Sequence, residues 1–121
     1  MGQGERIFME LGAWGEQTAA VELERKGYCI LERNYRCKLG EIDLIAQDGA
    51  TLVFIEVKTR RGLTYGLPCQ SITPQKKRHL YGVAAFYLSY HKMEQKEVRI
   101  DVIELLKIEN RWFIHHIKDA L

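Results

Sequence analysis

Residues 39–60 read Leu39-Gly40-Glu41-Ile42-Asp43-Leu44-Ile45-Ala46-Gln47-Asp48-Gly49-Ala50-Thr51-Leu52-Val53-Phe54-Ile55-Glu56-Val57-Lys58-Thr59-Arg60, two apolar runs divided by Asp-Gly. Asp-Gly between such runs signals a hairpin, so strands are expected over 39–46 and 51–59. The second run is nearly continuous in apolar residues, as in a strand buried on both faces. Side chains two apart on a strand share a face. That groups Glu41 with Asp43, and Glu56 with Lys58 and Arg60. A two-residue Asp48-Gly49 turn, or a four-residue loop over 47–50, sets 43 opposite 54 and 41 opposite 56. Asp43, Glu56 and Lys58 then lie on one face, with Asp43 diagonal to Glu56. A one-residue slip would break the grouping.

On the N-terminal side, Leu11, Gly15, Ala19 and Leu23 recur every fourth position and predict a helix over 8–26. Gly27 supplies a C′ stop. Tyr28–Arg33 alternates as a short strand, with a turn region from Asn34 to Lys38. On the C-terminal side, Gly62, Gly66 and Pro68 mark residues 60–72 as an exposed loop. Thr73-Pro74 then opens a second helix, Thr as N-cap and Pro at N1. Leu80, Val83, Ala84, Tyr87, Leu88 and His91 form its apolar stripe. Strands follow from Val98 and over Trp112–Ile117. The order is α-β-β-β-α-β-β, and the strand–helix–strand passage from 51 to 105 implies a parallel crossover. The class is α/β with a mixed sheet flanked by helices.

The chain has 121 residues, 46% hydrophobic, without an internal repeat or linker-like stretch, so one domain over 1–121 is expected. Burial of roughly two-thirds of the unfolded surface suffices for a core, and the composition excludes disordered and collagen-like chains. No apolar run approaches the ~18 residues of a membrane span, and Met1–Arg6 carries no h-region. Three cysteines, Cys29, Cys37 and Cys69, lack C-x-x-C spacing; a disulfide framework is not expected, and a reducing cytoplasm is. They read as small buried hydrophobes, Trp112, Phe113 and Tyr87 as core aromatics, and His115-His116 as one residue facing in and one out. The net charge of +2 conceals a division: residues 33–79 hold nine Lys/Arg and four acids, the remainder nine and twelve. A basic middle between acidic ends suits a polyanionic partner.

Carboxylates on neighbouring strands repel, and one inside an apolar run must be paired or coordinate a cation. Oxygen ligands without Cys or His suit Mg²⁺ or Mn²⁺ rather than zinc. Such a cation activates water and stabilises charge on a phosphate. Lys58, two residues after Glu56, projects to the same side, where it could orient the water, stabilise the phosphate or serve as a general base. Glu16 lies on the small-residue side of the first helix, where a charge needs a partner. Alternating Glu, Asp and Lys is also how a solvated hairpin face reads, and spacing leaves both readings open.

In this order the residues resemble the restriction-endonuclease-like PD-(D/E)xK superfamily, Ile42-Asp43 standing for one element, Glu56-Val57-Lys58 for the next and Glu16 for the helix acid. The chain is similar, over about residues 11–104, to the YraN-type family of small bacterial endonuclease-like proteins, itself similar to Holliday junction resolvases. The likeness is carried by Leu11–Glu16, Asn34–Cys37, Gly40–Ile45, Phe54–Arg60, Tyr65–Pro68, Thr73–Lys76 and Arg99–Val102. It implies a restriction-endonuclease-like core with Glu16, Asp43 and Glu56 as metal-facing acids and Lys58 as the catalytic lysine. Gln70 departs from it, standing where many members carry an acid. The expected function is a metal-dependent endonuclease of structured or branched DNA, with a homodimer by analogy; the alternative is a non-catalytic nucleic-acid-binding protein that keeps the fold. Arg36, Lys38, Arg60, Arg61, Lys76, Lys77 and Arg78 are expected to meet the nucleic-acid backbone.

Overall fold

A computed structural model describes residues 11–61 and 72–121, without the Arg61 side chain. Residues 62–71, where a loop with Tyr65, Cys69 and Gln70 is expected, and the first ten residues lie outside the described residues. Helix α1 spans Leu11–Arg25, strands β1 Cys29–Cys37, β2 Gly40–Asp48 and β3 Thr51–Arg61, helix α2 Pro74–Tyr90, and strands β4 Glu97–Ile108 and β5 Arg111–Ile117. This is the expected α-β-β-β-α-β-β order. The five strands form one mixed sheet in chain order, antiparallel except for the parallel β3–β4 pair.

The helix ends follow their local chemistry. Past α1, Gly27 adopts φ 93°, its N–H donating to the Glu24 carbonyl while Tyr28 N–H donates to Leu23. That pair of bonds is a Schellman stop, which favours glycine at C′. At the start of α2, Thr73 Oγ1 accepts the Lys76 N–H, and Pro74 occupies N1.

Each helix covers one face of the sheet. Ala19, Ala20 and Leu23 of α1 pack on Leu44, Ala46, Val53, Ile55 and Ile103. Leu80, Val83, Ala84 and Tyr87 of α2 pack on Ile45, Leu52, Phe54 and Ile100. Residues 52–56 of β3 are therefore buried from both sides. Gly15 brings α1 against β3: a β-carbon there would collide with the Thr59 hydroxyl and come within 3.1 Å of a Leu105 methyl. Gly15→Ala is expected to destabilise the fold by about 1–3 kcal/mol through overpacking, with partial recovery in Gly15→Ala/Thr59→Ala, as measured by urea denaturation.

Three expectations are corrected. Strand β1 continues through the anticipated turn to Cys37, because Asn34, at φ 53°, bends the strand without ending it. The hairpin turns at Gly49-Ala50 rather than Asp48-Gly49. Gly49 has φ 62°, the first central position of a II′ turn, and Asp48 closes the ladder against Thr51 with its carboxylate 3.3 Å from Arg99. Phe113 is 48% exposed and Cys29 is exposed, so neither is core, while half-buried Cys37 packs against the core under α2. Tyr87 is buried, while Trp112 packs at the rim on Trp14 with ring centroids 4.7 Å apart. His116 faces inward and hydrogen-bonds buried Asp101 at 2.7 Å; His115 is exposed.

Candidate active site

The one-residue shift of the turn changes the register by two residues, which preserves faces. Leu44 pairs with Ile55, and continuing that register one step would set Asp43 opposite Glu56 rather than diagonal to it. The regular pairing stops at Leu44↔Ile55 on this side. On the other side, β1 pairs Arg33 with Leu44 and Tyr35 with Ile42, leaving out Asn34 and Asp43. Alternation also breaks here, since Ile42 and Ile45, three apart, both pack under α2. The register is the same on both sides of this gap, the shift in β1 lying between Ile30 and Glu32, so it is the left-handed Asn34 and the bend in β2 that interrupt the ladder and re-aim a side chain.

Asp43 is that side chain. It enters the opening between β2 and β3, where Oδ2 accepts the Val57 N–H at 2.7 Å. Its carboxyl is also within hydrogen-bond reach of Glu16, from α1, and Glu56. Glu56 is 4% exposed, and its Oε2 lies 3.5 Å from Lys58 Nζ and 3.3 Å from Lys76 Nζ. Three acids and two lysines from four elements thus meet at one end of the hairpin. Burial pushes the Asp43 carboxyl up from 3.8 to about 6, Glu16 adding to the rise and the Val57 hydrogen bond opposing it. Burial and the neighbouring Asp43 likewise raise Glu56, with Lys76 and Lys58 pulling it down.

A carboxyl raised on folding is stabilised in its protonated form. Asp43 therefore favours the fold at low pH, and this contribution is lost as pH rises from about 4 through about 6. The denaturation midpoint of wild type is expected to fall over that interval, with a flatter profile in Asp43→Asn, measured by urea melts at fixed ionic strength.

The donor chemistry fits a hard divalent cation: the acids are carboxylates alone, and Asp43 is surrounded by other carboxyls that only a shared proton or a cation reconciles. Among the described residues, no three His, Cys, Asp or Glu side chains are arranged so that they could hold a metal ion. The described partners of Glu56 Oε2 are the ammonium groups of Lys58 and Lys76.

Other expected positions fall outside the cluster. Glu41 is exposed and pairs with Arg36 at 2.9 Å, since the bend at Ile42–Asp43 separates it from Asp43. Arg60 was a candidate for phosphate contact but is turned inward, 12% exposed, its Nη2 2.9 Å from Glu104 Oε1. Glu104, fully buried on β4 opposite Lys58, needs that cation. Lys38 lies exposed in the β1–β2 turn, and Lys77 and Arg78 are exposed on α2. Lys76 is drawn into the site instead of standing on the surface with them. Glu104 and Asn34 were not singled out from sequence. The buried β4 run could have pointed to Glu104, and asparagine's tolerance of the left-handed region, at the head of the expected turn, could have pointed to Asn34.

The fold and site define a class: an α/β protein with a mixed five-stranded sheet and an acid–lysine cluster at a strand end. Residues 15–105 match the family described as "Uncharacterised protein family UPF0102", and the chain belongs to that family, the YraN-type group of its sequence resemblance. It is similar to "UPF0102 protein" of Caldicellulosiruptor saccharolyticus, 47% identical over 92% of this chain and 96% of the relative. Relatives of the same name from Geotalea daltonii (45%, covering 98% and 94%) and Syntrophus aciditrophicus (45%, covering 93% and 88%) are similar throughout. Among solved structures, "Crystal structure of SSO0001" matches at TM-score 0.43 and 20% identity, over 92% of this chain and 52% of that one. This chain thus spans about half of that protein's length. No described helix is long and apolar enough to cross a membrane.

Proposed function

We propose that this protein is a Mg²⁺- or Mn²⁺-dependent endonuclease that hydrolyses phosphodiester bonds in structured or branched DNA. The observation that carries the reading is the convergence of Glu16, Asp43 and Glu56 beside Lys58 and Lys76. Asp43 and Glu56, with Glu16, would hold the cation. When bound, the cation supplies a water activated for attack and charge stabilisation at the phosphate. Val57 N–H fixes the Asp43 carboxylate. Lys58 is placed to orient water and to hold negative charge on phosphate oxygens. Exposed Lys77, Arg78, Arg36 and Lys38 supply sequence-independent backbone contacts. Symmetric cutting of a branched substrate needs two sites, so a homodimer accompanies the proposal.

Purified protein incubated in Mn²⁺ with four-way junctions, flaps and single strands tests this. Cleavage of at least one, lost in Glu56→Ala and Lys58→Ala, is the expected result. No cleavage, or cleavage unchanged in both variants, overturns it. The engagement of Glu56 by two lysines favours a second reading, a nucleic-acid-binding protein without catalysis. Its mark is salt-dependent binding indifferent to divalent cations and to Asp43→Asn.

A further inference from the structure

Lys58 and Lys76 address the same Glu56 oxygen, Oε2, from different supports. Lys58 sits two residues along the same strand and stays beside the site wherever its ammonium points. Lys76 is the third residue of α2. Its backbone is pinned, with its N–H donated to Thr73 Oγ1 at 3.1 Å and Pro74 at N1, while its side chain is 34% exposed. Only the flexible four-carbon stem has to turn for the ammonium to leave Glu56. The first turn of α2 holds no acid, and its three successive cations, Lys76, Lys77 and Arg78, oppose the helix dipole. Helix stability does not account for them. Among the described ion pairs, Lys76 finds its counter-charge in Glu56.

An ammonium held on a carboxylate oxygen competes with any cation that needs that carboxylate. We infer that Lys76 is a placeholder: a divalent cation arriving at Asp43 and Glu56 displaces the Lys76 ammonium from Glu56, and the freed ammonium, still anchored at the start of α2, takes a nucleic-acid phosphate. This rests on the reading of Asp43 and Glu56 as cation ligands. Cation and phosphate binding are then coupled, each strengthening the other, as linkage requires. A Lys76 whose ammonium stays on Glu56 throughout would show no such coupling.

Two titrations of the full chain test it. In calorimetry with Mn²⁺ alone, Lys76→Met is expected to bind about tenfold tighter than wild type, because the competitor is gone. Lys118→Met, an exposed lysine after β5, serves as the control, changing by less than about twofold. In anisotropy titrations of a four-way DNA junction, Lys76→Met is expected to weaken binding about tenfold with Ca²⁺ present and less than about twofold without divalent cation. Lys76→Gln gives the same comparison in a variant that keeps a polar side chain. An equal loss under both conditions, or unaltered Mn²⁺ affinity in both variants, overturns the placeholder role and leaves the proposed nuclease standing. Wild type that takes up no Mn²⁺, or takes it up equally well after Asp43→Asn, overturns the cation reading and the placeholder with it.

Discussion

Asp43→Asn is expected to lower metal-dependent cleavage by on the order of a thousandfold, about 4 kcal/mol in the barrier, while making the protein more stable at pH 7. Both effects have one cause. The carboxylate lies in a buried opening beside two other acids, and burial raises it to about 6. At neutral pH the fold therefore carries a charge that it disfavours. Asparagine keeps the shape and an oxygen able to accept the Val57 N–H, but removes the charge that a divalent cation requires. A variant at once inactive and more resistant to urea is the pattern of a site that trades stability for function. Equal cleavage by Asp43→Asn and wild type would sink the catalytic proposal. A loss of activity accompanied by lost stability would assign Asp43 a structural role instead.

Arg60→Met is expected to destabilise the protein by about 3–5 kcal/mol, and Arg60→Met/Glu104→Met to recover most of the loss. For a domain this size such a loss is a large share of total stability. Glu104 is fully buried, one oxygen taken by Arg60 and the other, Oε2, without a hydrogen-bond partner among the described residues. Removing Arg60 leaves a buried carboxylate uncompensated, whereas removing both members leaves apolar side chains in an apolar place. The register adds a consequence for the site. Glu104 pairs with Lys58 across the parallel ladder, so a Glu104 deprived of Arg60 becomes a rival to Glu56 for the Lys58 ammonium. Chemical denaturation of the single and double variants measures the first effect. Recovered cleavage in the double variant measures the second.

Local chemistry was readable in the sequence wherever it was strong. Gly27 and Thr73-Pro74 bound their helices, and the apolar run from Leu52 marked the central strand. Long-range placement was less readable. The Asp-Gly pair pointed to the hairpin but misplaced its turn by one residue, because Asp48 is engaged by Arg99, fifty-one positions away. The error moved the register by two and left the faces intact, so Asp43 and Glu56 were grouped correctly with the wrong spacing. Arg60 and Lys76, both expected on the nucleic-acid backbone, are turned to buried acids for a similar reason. Both are basic residues beside an apolar segment, and what turns each inward is a buried acid, Glu104 or Glu56, brought close only by strand pairing or helix docking. The bend at Asp43 depends on Asn34 in another strand, and no spacing within β2 reveals it.

Glu16 comes from a helix packed on one face of the sheet, Lys76 from a helix packed on the other, and Asp43 reaches the opening between strands. The cluster accordingly exists only after both layers have docked. A chain leaving the ribosome N-terminus first has made Glu16, Asp43, Glu56 and Lys58 before α2 is complete, and none of them is yet held in place. Appearance of the assembled cluster therefore reports completion of folding. Under the proposed nuclease reading, that delay is a safeguard: unfinished or partly unfolded copies carry the right residues without the means to use them.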